Sequence, residues 1–193
     1  MTRQQEDIPA DLSDLIRMGT VTSVDLAAAT CIVRHGNPDD EDGGAETPPI
    51  RWLSLRAGQT RAWSPPSVGE QAIVLAPDGQ IAGAVALVGV YCDAFPPPGS
   101  TLAELIEYAD GAVIGYDPEN HALTALLPDG ATALVEAPGG LTIRGPVTIE
   151  GDVTLTGRMD ASEDVTADGI SLKTHKHGQV QSGTAQSGPP VGE

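Results

Sequence analysis

Aromatic side chains are almost missing from this chain, which has two Trp, three Tyr and one Phe in 193 residues. So few large apolar groups argue against a wide globular core of ordinary composition. Cysteine is as scarce: Cys31 and Cys92 both lie in apolar, strand-like stretches and read as reduced, buried thiols. No CxxC spacing exists to hold a metal. Positive charge is also short, with 10 Lys and Arg against 27 Asp and Glu and a net charge of −17. Such a surface repels phosphate backbones, so nucleic acid is not expected as a partner. No apolar run reaches the roughly 20 residues that span a bilayer as a helix. The opening MTRQQEDIPADLSDL has no apolar core of the signal-peptide type, which points to synthesis and folding in a cytoplasm. Ser-His-Asp patterns, P-loops and supported acid pairs are absent too, so an enzyme is not expected.

What the chain does have is 23 Gly and 16 Pro, a composition that favours many turns and short strands. Taken in order, Pro9 to Met18 has an acidic start and apolar spacing of three and four, which predicts a two-turn helix stopped by Gly19. Strands are expected at Thr20–Asp25, Thr30–His35, Ile50–Leu55, Gln71–Ala76 and Ala82–Tyr91. The acidic insert Asn37-Pro-Asp-Asp-Glu-Asp-Gly-Gly reads as a solvated loop; it lacks the spacing and closing Glu of an EF-hand. Five short strands in this length predict a small closed barrel of the oligonucleotide/oligosaccharide-binding (OB) type. Trp52 and Trp63, with Arg51, Arg56 and Arg61 near them, could form a binding face or merely fill a thin core or a subunit contact. The stiff Phe95-Pro-Pro-Pro-Gly-Ser then marks a boundary. Four strand candidates follow, Glu104–Tyr108, Ala112–Tyr116, Ala122–Leu127 and Ala131–Glu136, with Asp-Gly and Pro-Asp-Gly turns in a meander rhythm.

From Leu141 a six-residue pattern repeats. One apolar phase runs Leu141, Val147, Val153, Met159, Val165; a second, two residues on, runs Ile143, Ile149, Leu155, Ala161, Ala167. Glycine recurs at Gly145, Gly151, Gly157 and Gly169, with Glu163 the exception. Alternation of apolar and polar residues means extended chain, and the recurring Gly marks a bend or a close backbone approach. A hexapeptide solenoid needs roughly 18 residues per turn and about three turns to build a core, and this stretch is under two. Its stripe must be buried elsewhere, most simply against copies of itself. Three chains about one axis would bury all three stripes and leave no free sheet edge, so a homotrimer carrying three times −17, or −51, is expected.

His175 and His177 follow the repeat at i and i+2, so on extended chain both rings face one side. By itself an HxH in a polar tail can be solvent-exposed and bind nothing. At the end of a trimerising repeat, two imidazoles from each of three chains bring six nitrogens to the axis. Imidazole suits iron, nickel and zinc; zinc prefers four ligands, so an octahedral set favours Fe2+, one ion per trimer. His35 and His121 read as structural or exposed.

Several segments, in this order, resemble the baseplate assembly protein V or central tail spike family of Mu-like and related contractile-tailed phages. They are Leu15 to Asp25 (LIRMGTVTSVD), Trp63 to Leu75 (WSPPSVGEQAIVL), Asp110 to Asp117 (DGAVIGYD), His121 to Thr124, Leu127 to Gly130, Ala137 to Ile143 (APGGLTI) and Asp164 to Gly178 (DVTADGISLKTHKHG). The resemblance spans most of the chain; Glu163 and the long acidic insert depart from the pattern. It implies an all-β chain with an OB-fold barrel followed by an intertwined trimeric β-helical spike, β-prism in form. The expected division is a segment with a short helix at 1–18, barrel 19–95, linker 96–103, meander 104–140, repeat and tip 141–178, and an irregular tail 179–193. It further implies a virion tail protein with baseplate hub and wedge proteins as partners, made in the host cytoplasm. Its spike would puncture the host outer membrane when the sheath contracts. His175 and His177 of three chains would hold iron, beside which other structural ions are possible.

Two other readings compete. A hexapeptide-repeat acyltransferase with a catalytic His fails on repeat length and on the lack of a pocket-forming domain. A trimeric carbohydrate-binding tail adhesin fits the barrel, but such a chain usually ends in a larger receptor domain.

Overall fold

A computed structural model describes residues 14–36, 44–176 and 183. The chain divides into two units, Met1–Leu134 and Val135–Glu193.

In the first unit six strands form one sheet: β1 (Ile16–Asp25), β2 (Thr30–His35), β3 (Ala45–Glu46), β4 (Arg51–Trp52), β5 (Gln71–Leu75) and β6 (Val85–Val90). Their spatial order is β3-β2-β1-β5-β6-β4. All neighbours are antiparallel except β4 and β6. An isolated antiparallel bridge from Cys31 to Ile50, just before β4, brings that edge back onto β2 and closes the sheet into a barrel. The period of two explains what lies inside. Cys31 and Val33 on β2, and Ala72 and Val74 on β5, point inward, while their neighbours point out or half out. The core is completed by Val21, Ile50, Ala76, Ala84 and Ala86. It is built from Val, Ile, Ala and Cys, as the shortage of aromatics requires. The OB-type barrel and the all-β class expected from sequence are both present.

The expected helix from Pro9 to Met18 is corrected in part. Ile16, Arg17 and Met18 open β1 and pair with Leu75, Val74 and Ile73 of β5; residues 9–13 lie outside the described residues. A two-turn helix gains little alone, whereas a strand here completes the ladder beside β5. The strand expected over Ile50–Leu55 shortens to Arg51–Trp52. Residues 37–43 of the acidic stretch read as a loop lie outside the described residues; just after it, Ala45–Glu46 is a strand and Thr47 is buried. The Val33 backbone N–H donates to the Thr47 hydroxyl at 3.1 Å, which ties this segment to β2. Cys31 is buried as expected; Cys92 is half-buried, and both are free thiols.

Beyond the barrel, β7 (Glu104–Glu107), β8 (Val113–Asp117) and β9 (Ala122–Leu126) form a three-stranded antiparallel meander. Its turns are held by aspartates: Asp110 accepts from the Ala112 N–H, and Asp117 from those of Glu119 and Asn120. The fourth expected strand, Ala131–Glu136, does not form. The segment is exposed and carries no ladder within the chain.

In the second unit, residues 135–164 pair with no strand of their own chain. The six-residue spacing is nevertheless written into the backbone. Gly145, Gly151 and Gly157 have φ of +125°, +139° and +137°, a region L side chains avoid. Glu163, next in the series, does not take a positive φ. There the repeating conformation ends and a hairpin begins, β10 (Thr166–Ala167) and β11 (Ile170–Ser171). Asp168 and Gly169 turn it with φ of +47° and +77°, the two positive values of a type I′ turn.

Candidate functional site

Three features carry chemistry or recognition. The first is the apolar stripe. Leu141, Ile143, Val147, Ile149, Val153, Leu155 and Met159 are all exposed, and every described residue of 135–176 except Val165 and Ser171 is exposed as well. The meander repeats this on a smaller scale, with Ile106, Ile114, Tyr116, Leu123 and Leu126 uncovered. Contiguous apolar surface of this extent marks an interaction face.

The second feature is the tip. The hairpin leads into a turn over Ser171 to Thr174, and Ser171 organises it. Its hydroxyl accepts from the backbone N–H groups of Lys173 (3.1 Å) and Thr174 (2.9 Å) and from the Thr174 hydroxyl (2.9 Å). Asp164 clamps the turn from the other side by accepting from the Lys173 N–H at 3.1 Å. The Ser171 hydroxyl, with the Lys173 and Val165 N–H groups, holds the Asp164 carboxyl below the ordinary carboxylate range. His175 follows directly. Its backbone N–H donates to the Ser171 carbonyl at 3.1 Å, and its ring Nδ1 lies 2.9 Å from the same oxygen. A carbonyl only accepts, so Nδ1 is the donor in this contact. An orienting hydrogen bond of this kind is what a ligating imidazole uses. His177 lies outside the described residues. Among the described residues one chain has no group of three or more His, Cys, Asp or Glu placed to hold a metal.

The other histidines are elsewhere. His121 is exposed in the turn between β8 and β9. His35 is buried at the end of β2, 3.4 Å from Arg17 Nη1. Burial first and the Arg17 charge second push its pKa down, so it is a neutral structural group. Burial, with Glu70 adding, pushes the Cys31 thiol up and leaves it unreactive.

The third feature is a groove of about 770 Å³ on the barrel, where Trp52, Trp63, Arg51, Arg56 and Arg61 do converge. The tryptophan rings are 5.4 Å apart and tilted by 59°. Spacing in the sequence gave no sign of what brings them together, a small closed hairpin. The Ser54 hydroxyl donates to the carbonyls of Arg56 (3.1 Å) and Ala62 (2.9 Å), and Ala57 bridges Arg61. The clamp of Asp164 and Ser171 on the tip was also not foreseen, although Asp, Ser and Thr around a Gly turn were a usable signal.

A closed barrel followed by an uncovered apolar repeat and a histidine-bearing tip defines a class, that of injector-type spike proteins. Residues 17–91 match the family described as the Type VI secretion system/phage-baseplate injector OB domain. Residues 169–191, which hold His175 and His177, match the GpV Apex motif. The chain is 32% identical to the Spike protein of Escherichia phage P2 over 209 aligned positions, covering 94% of this chain and 96% of that protein. The chain belongs to the phage baseplate central spike family. Its role is structural, as a central tail spike of the virion tail. No helix among the described residues is long and apolar enough to cross a membrane.

Proposed function

We propose that three copies of this chain wind their repeats about one axis into a β-helical needle, and that the needle punctures the host outer membrane when the tail sheath contracts. The observation that carries this is the apolar stripe from Leu141 to Met159, uncovered in the single chain. Three stripes facing inward bury one another, and three sets of strand edges pair without leaving a free edge. Glycines with positive φ every six residues suit a shaft that turns at the same point of each repeat. The barrels face the baseplate hub and wedge proteins. A surface of this negative charge does not take nucleic acid.

The spike acts by force and not by catalysis. Axial load reaches the tip without unravelling the shaft, because no chain can peel away without unpairing from two others. His175 and His177 of three chains hold one Fe2+ at the tip. The donor chemistry fits: imidazoles oriented as His175 is by Ser171 suit a borderline divalent ion, and one chain alone lacks a sufficient set. Bound there, the ion's contribution is a cross-link between three chain ends, where fraying would otherwise start.

Elemental analysis of the purified full-length protein tests the tip. One iron per trimer is expected, lost in the double variant His175→Ala with His177→Ala while the shaft stays trimeric. Fewer than about 0.2 metal ions per trimer in the unmodified protein would contradict the site.

A further inference from the structure

The barrel groove is independent of the repeat and of the tip, and its chemistry is opposite to that of the rest of the surface. Three of the chain's ten Lys and Arg residues, Arg51, Arg56 and Arg61, line it, and no acidic residue does. The ion pairs among the described residues are made by Arg17, Arg34 and Arg158, and none by these three. Apolar surface stands beside them. Trp63 is 60% exposed, Leu53 56% and Leu55 94%, on a hairpin that Ser54 and the Ala57–Arg61 bridge already hold shut. The wall is thus rigid before anything binds, which lowers the entropy lost on binding.

We propose that this groove is a docking site for an acidic, apolar segment of another protein chain, whose carboxylates meet Arg51, Arg56 and Arg61 while an apolar side chain packs on the exposed surface of Trp63 and Leu53. Charge complementarity selects this occupant. A chain of net charge −17 repels acidic partners over most of its surface, and here three guanidinium groups await bidentate acceptors. Exposed Trp and Arg are also the residue types that dominate binding energy at protein interfaces. A neutral sugar is the poorer fit, because no Asp, Glu, Asn or Gln lines the groove to take up its hydroxyl groups.

Both tryptophans of the chain lie in this groove, so Trp-selective fluorescence of the full-length protein reports on it alone. The probes are a short synthetic peptide with Asp and Glu interleaved with Leu and Phe, its Lys-substituted counterpart, and maltohexaose. The acidic peptide should change the emission saturably, and its affinity should fall about tenfold or more in Arg56→Gln with Arg61→Gln, and likewise in Trp63→Ala. All three side chains are exposed, so these variants should fold, as circular dichroism would verify. Raising salt should weaken binding in the unmodified protein. An unsaturable response to the acidic peptide, an equal response to the Lys peptide, or a saturable response to maltohexaose would each overturn the proposal. So would failure of acrylamide to quench either tryptophan in the free protein, which would show that a second copy already covers the groove.

Discussion

Val74 and Val153 are the same side chain, and they meet opposite surroundings: the first is 0% exposed in the barrel, the second 67% exposed in the repeat. The difference lies in what each neighbourhood can close around. In the barrel, β5 has β1 on one side and β6 on the other, and the Cys31–Ile50 bridge seals the far edge, so one chain supplies every wall of its own core. In the repeat no strand of the same chain lies alongside, and an equally apolar stripe stays bare. The barrel is a fold of one chain; the repeat, on the proposal that three copies wind together, is a fold that copies complete.

The sharpest way to break that contrast is to charge the stripe. Ile149→Asp with Val153→Asp would place six carboxylates on the axis of a trimer, each costing several kcal/mol to bury unpaired. Sedimentation should show monomers whose barrel retains its native tryptophan emission; a surviving trimer would mean the stripe is not the seam. A gentler comparison truncates one valine in each region. Val74→Ala should cost roughly 2 kcal/mol, from lost burial plus a cavity, independent of protein concentration. Val153→Ala should lower the melting temperature of the shaft in a concentration-dependent way, because it weakens association.

Glycine gives a third, smaller test. Gly151→Ala meets no atom within 4 Å in the single chain but must hold φ near +139°, a strain of about 1–3 kcal/mol per chain. Gly58→Ala, with equally open space and no positive φ, should stay within about 0.5 kcal/mol. Smallest is the effect of pH at the tip. The folded pKa of Asp164 is depressed, so its contribution is present above the ordinary carboxylate value and lost as pH falls through that value and below it. The protection of the Lys173 amide, taken relative to its intrinsic exchange rate at each pH, should therefore fall on acidification below about pH 4 in the unmodified protein. In Asp164→Ala, which removes this acceptor, the protection should be lower at neutral pH and should no longer fall with pH in this range.

How far the fold could be read from the sequence follows the same division. Thr30–His35 was legible to the residue, because it holds a run of β-branched and apolar residues, Thr30 to Val33, and turns bound both ends. Ile16 to Met18 misled, since Leu12, Leu15, Ile16 and Met18 satisfy a helical spacing as well as an extended one; the β5 partner, distant in sequence, decides between them. The repeat was legible because its period is regular, and the glycine φ values follow it until Glu163. At the tip, the histidines were visible as a motif, whereas the clamp by Asp164 and Ser171 depends on how the Asp168-Gly169 turn folds back. The Trp and Arg residues of the groove were legible together as a possible binding face; the Ser54-closed hairpin that brings Trp63 against Trp52 was not.

Native mass spectrometry of the full-length protein tests the central claim most directly, because it weighs the assembly and any bound ion together. A species at three times the 19.8 kDa chain mass, 59.4 kDa, plus one metal ion is predicted. A stable species at 19.8 kDa, with the stripe intact and uncovered, would contradict it.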